Sequence, residues 1–139
     1  MLVALVLLVL FLVLWQVEKS RSDTIKASMD TRISVVFASF CNDLSQDLGS
    51  YEKDDWHRLH ECGFYLTNTD MVSFGAVPEE AEAREKLAFA LDALLDPLEE
   101  NRIVFSEDIK EKLLYLSSHS QDVPLMEEIL AELEALPVA

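Results

Sequence analysis

Glycine, proline and cysteine are scarce in this chain, at three, four and two of its 139 residues. With glycine only at positions 49, 63 and 75, no glycine-rich loop can bring backbone N–H groups against a phosphate. Neither proline nor glycine occurs between positions 1 and 48, so nothing there interrupts a helix. Positive charge is sparse as well: 11 Lys and Arg stand against 26 Asp and Glu, for a formal charge of −15. So acidic a chain, with no basic stripe, repels phosphate, which argues against a nucleic-acid partner. The motifs G-x-S-x-G and H-E-x-x-H do not occur, nor does the ligand spacing of an EF-hand loop. The chain therefore reads as non-enzymatic, with no cofactor.

What the sequence does have is apolar residues, 50% of the total, concentrated at one end. Residues 1–17 read MLVALVLLVLFLVLWQV, with Gln16 the only polar side chain. As a helix this run spans about 25 Å, slightly under the hydrocarbon thickness of a bilayer. Trp15 lies where an interfacial aromatic belongs. A cleaved signal peptide is the rival reading, but no Lys or Arg precedes the run and no small-x-small cleavage site follows it. A retained single anchor is expected. Lys19, Arg21, Lys26 and Arg32 all follow the span, which by the positive-inside rule puts the C-terminal domain in the cytoplasm. Ala4 is the only small residue in the run, so it offers no face for tight helix pairing.

Beyond the anchor the apolar period is helical. Ile25, Met29, Ile33, Val36, Phe37, Phe40, Cys41, Leu44 and Leu48 form one stripe, and this first helix can continue directly from the anchor. A second helix over residues 51 to 66 carries Trp56, Leu59, Cys62 and Leu66 on one side. Folded back antiparallel, Phe37 meets Leu66, Cys41 meets Cys62 and Leu44 meets Leu59, three layers in one register. Residues 67 to 77 read as a loop. Pro78 opens a third helix with the stripe Leu87, Leu91, Leu94, Leu95 and Leu98, which Pro97 should end or kink. Ser106 starts a fourth helix, and a last one over 124 to 136 turns Leu125, Ile129, Leu133 and Leu136 inward. The expected fold is all-α: a single N-terminal transmembrane helix, residues 1–17, followed by an acidic antiparallel bundle of four to five helices, residues 18–139.

Few groups suggest chemistry. Cys41 and Cys62 face each other in the proposed register, so a disulfide is feasible if the domain is exported; in the cytoplasm they are reduced, buried thiols. His57 and Glu61 share a helix face, but Cys62 lies about 200° around the helix from His60, so one ion cannot easily collect them all, and no metal site is expected. Glu127, Glu128, Glu132 and Glu134 read as the solvated face of the last helix. In the loop, Met71, Val72 and Phe74 either fold down to cap the bundle or form an exposed apolar contact.

The expected function is that of a membrane-anchored helical interaction protein, an accessory, adaptor or assembly subunit of a membrane-associated complex. Its partners are the bilayer, through residues 1–17, and a second protein, with Met71, Phe74, Glu128 and Glu132 as candidate contacts. Two alternatives belong to other classes. One is a membrane-tethered bundle that senses a small molecule between its helices. The other is a membrane-active toxin or lysis protein.

Overall fold

A computed structural model describes residues 1–75 and 77–137. It is all-helical, with seven α-helices, one 3₁₀ turn and no strand among the described residues. The helices are α1 (Leu2–Leu44), α2 (Lys53–Asn68), α3 (Met71–Phe74), α4 (Pro78–Ala93), α5 (Leu95–Glu99), α6 (Glu107–Ser118) and α7 (Val123–Glu134), and the 3₁₀ turn is Leu48–Ser50.

The apolar run and the first amphipathic stripe are one unbroken helix of 43 residues, about 65 Å long. Every residue from the N-terminus to Ser28 is exposed, and burial begins only at Met29. From there α1 is a core element, burying Ile33, Phe37, Phe40, Cys41 and Leu44 at steps of three and four. Its N-terminal part is long and apolar enough to cross a membrane.

The chain turns back through the 3₁₀ segment, and the turn is fastened at both ends. The Tyr51 hydroxyl donates to the Asp43 carbonyl at 2.5 Å, and the Tyr51 ring meets Trp56 edge-on at 5.9 Å. The backbone N–H of Glu52 donates to the Asp55 carboxylate at 3.0 Å, which satisfies a donor at the start of α2. α2 then packs on α1. Five of the six residues in the expected register are buried, and Cys62 is half-buried.

Helix bounds differ from the sequence reading: α2 begins at Lys53, not 51, and α7 is Val123–Glu134, not 124 to 136. Residues 67 to 77 are not a continuous loop: α2 runs on to Asn68, and α3 forms one further turn capped by Asp70, whose carboxylate accepts from the Ser73 N–H at 3.2 Å. The third helix is two, broken at Leu94 one turn before Pro97. Proline lacks the N–H that would bond the carbonyl four residues back, and its ring crowds that carbonyl, so the break falls upstream of it. α3 and α5 thus raise the helix number above the expected four to five.

The core is built by α4 packing on α7 and α2, and by α1 packing on α6. Leu87, Leu91, Leu95, Leu113, Leu116 and Ile129 meet at its centre, each fully buried. One charge is buried with them. Arg84, 3% exposed, donates to Ser34 Oγ at 3.0 Å and lies 3.5 Å from Glu80 and 3.7 Å from Asp30. It ties α4 to α1 close to where α1 leaves the core.

Candidate functional site

Two surface features combine shape with charge. The larger is a groove of about 490 Å³ between α4 and α7. Ala83, Val123, Met126, Leu130 and Ala131 make its apolar part, and Glu79, Glu82, Glu127 and Glu134 rim it, with Lys86 among them. Lys86 lies 3.3 Å from Glu82, so one rim carboxylate is already paired. Small residues on both helices, Ala83 and Ala131, leave the trough between them. The acidic first turn of α4 follows from its helix dipole, because Glu79 and Glu80 sit where backbone N–H groups point outward.

The second feature joins α2 to α5. His60 Nε2 lies 3.1 Å from Glu99 Oε2 and 3.7 Å from Asp96 Oδ1, and one ligand atom from each of the three falls within 4.8 Å of the others. Asp96 and Glu99, three apart on the short α5, present both carboxylates to α2. A further histidine–carboxylate contact is different in kind: His57 and Glu61, 2.9 Å apart, lie on an exposed stretch of α2.

The residues singled out from sequence fall in other places. Met71 is 1% exposed and Phe74 is half-buried against the core. Because Asp70 caps α3, the turn folds Met71 inward, and both side chains cover the core rather than stand out from it. Glu128 and Glu132 face α6, not solvent alone. Lys112 Nζ lies 2.5 Å from Glu132, 3.0 Å from Glu128 and 2.9 Å from Asp108. Their hydrogen bonds, Glu132 first, then Asp108 and Glu128, hold the Lys112 ammonium well above the usual lysine range. Asp108 is held below the carboxylate range, chiefly by its bond to Lys112. This cluster fastens α7 to α6. Cys41 and Cys62 are free thiols, Cys41 fully buried. Burial pushes the Cys41 thiol far up, and burial first, then the nearby Asp43 and Glu61, pushes up that of Cys62, so neither is an activated nucleophile.

Neither the groove nor the His60 cluster was visible along the sequence. The groove's two walls lie some forty residues apart, and only the packing of α4 on α7 joins them. His60 could be found as a candidate ligand, but its partners on α5 come from a segment that reads as an ordinary helix end. Comparison with family models, with curated proteins and with solved structures finds no match for this chain.

Proposed function

We propose that this protein is a single-pass, membrane-anchored interaction subunit without catalytic activity, and that its docking face is the groove between α4 and α7. Residues 1–17 form the anchor, and the helices from Met29 onward form an antiparallel bundle held off the bilayer by the exposed middle of α1. The basic residues after the span favour a cytoplasmic domain.

The observation that carries the reading is the groove itself: a mixed polar and apolar trough flanked by four glutamates on a chain of charge −15. Its chemistry fits one occupant, an amphipathic helix with an apolar stripe bordered by Lys or Arg. Such a helix would set its stripe on Val123, Leu130 and Ala131 and its cations against Glu79, Glu127 and Glu134. Long-range attraction would speed the encounter, and burial of the stripe would hold the complex. The groove replaces the loop and the Glu128–Glu132 face as the contact surface, because Met71 lies in the core and Lys112 already engages both glutamates.

The test uses the full chain in detergent micelles and a fluorescent helical peptide of leucines at i, i+3, i+4 and i+7 with lysines on either side. Saturable binding is expected, at least tenfold weaker in the double variant Glu127→Lys/Glu134→Lys and weaker again at high salt. Both glutamates are exposed, so the fold is not at stake. Equal binding of a peptide with glutamate in place of lysine, or no effect of the double variant, would overturn the proposal.

A further inference from the structure

His60, Asp96 and Glu99 form a cluster where α5 meets α2. One imidazole faces two carboxylates, and the three donor atoms converge from two helices, α2 and α5. One ligand atom from each lies within 4.8 Å of the other two, and the two separations from His60 Nε2, 3.1 and 3.7 Å, bracket the edge of a coordination tetrahedron. For a Zn²⁺ ion with ligands at about 2.0–2.1 Å, that edge is about 3.3 Å.

The surroundings favour a cation as well. Asp92, one turn before Asp96, stands over Gly63, where any side chain would meet it: a Cβ there would lie 2.2 Å from Asp92 Oδ1. Only glycine lets this third carboxylate lie so close to α2, one turn on from His60. Burial pushes Asp92 upward, while His60 pulls it down and Asp96 pushes it up, which places Asp92 in the same electrostatic neighbourhood. A mixed imidazole and carboxylate set suits the borderline divalent ions, of which zinc is typical, and not calcium or magnesium, which take oxygen throughout.

We propose that His60, Asp96 and Glu99 bind one divalent cation of the zinc class, with water in the remaining position, and that the ion clamps α5 to α2. The clamp adds to the burial of Leu95 and Leu98 in holding the segment where α4 breaks before Pro97. His57 and Glu61 supply only two donors on one exposed helix face and do not make an equivalent site.

The experiment titrates zinc chloride into the metal-stripped full chain in detergent micelles, followed by calorimetry and by thermal unfolding. One equivalent is expected to bind and to raise the melting temperature, and cobalt in its place should give the strong visible absorption of a four-coordinate centre. His60→Gln and Asp96→Asn should each weaken binding at least tenfold, while His57→Gln leaves it unchanged. Asp96 is 75% exposed in its side chain, so its variant tests ligation without endangering the fold. Equal melting of wild type and variants in chelator confirms that comparison. Absence of saturable zinc binding, or equal loss in His57→Gln, would overturn the site.

Discussion

At the residue scale, Asp43 shows how a single carboxylate can work against the fold that contains it. It lies in the last turn of α1, where backbone carbonyls already concentrate negative charge. Burial pushes its carboxyl above the usual range; Arg58 pulls it down in part, and Asp55 pushes it further up. A carboxyl whose pKa is raised in the folded state costs stability while ionised, and the cost vanishes once it is protonated in folded and unfolded states alike. Asp43→Asn should therefore raise the thermal midpoint at pH 7. The gain should shrink as the pH falls through the raised folded value and disappear below the ordinary carboxylate value of about 3.9. Melting curves of the two proteins at pH 7 and pH 3 check it; an equal gain at both would mean that shape, not charge, sets the effect.

The elements are defined by capping and by close approach more than by propensity. Asp70, Ser106 and Asp122 each accept a hydrogen bond from an N–H in the first turn of the helix they precede. Ser106 was legible as a helix start, whereas Asp70 was hidden inside a segment with no apolar period. The passage from α3 to α4 depends on Gly75, whose φ of −73° any residue could adopt. Its constraint is space: a Cβ would sit 2.4 Å from the Ala81 Cβ and 3.0 Å from the Met71 carbonyl oxygen. Neither neighbour is the end of a flexible side chain, so Gly75→Ala must push α3 away from α4. A loss of about 1–3 kcal/mol is expected, in the range of overpacking substitutions. Urea denaturation measures it, and a neutral result would show that α3 can shift without disturbing the core beneath Met71.

Across the whole molecule, the contrast is between a packed unit and the helix that projects from it. Residues 18–28 of α1 are exposed on all sides, and in the proposed membrane orientation they would separate the two by about 16 Å. Few contacts hold this segment helical beyond its own backbone bonds and local ones such as Thr24 Oγ1 to the Ser20 carbonyl, 2.9 Å. Thr24→Pro removes the N–H that would bond that carbonyl and crowds it, kinking the helix. The packed unit should melt unchanged, while distances from a spin label at exposed Glu111 to labelled lipid headgroups shorten and broaden. An unaltered distribution would mean that the segment is not a straight spacer. Arg84, buried beside Ser34 and Asp30, ties α4 to α1 just below the point where the spacer departs.

The helical class, the exposed apolar end of α1 and the inward stripes of Ile33 to Leu44 and Leu87 to Leu98 were legible in the sequence, which also allowed α1 to run unbroken. Those features are periodic and local, set by apolar spacing and by the positions of proline and glycine. Tertiary structure decided where the charges act. Glu128 and Glu132 became internal partners of Lys112 because α7 lies on α6, and Glu127 and Glu134 became a groove wall because α7 also lies on α4. His60 found Asp96 and Glu99 for the same reason: α4 breaks before Pro97 and brings a second short helix beside α2. A charged residue on a helix carries no mark of which neighbour will face it, so that pairing exists only once the helices have packed.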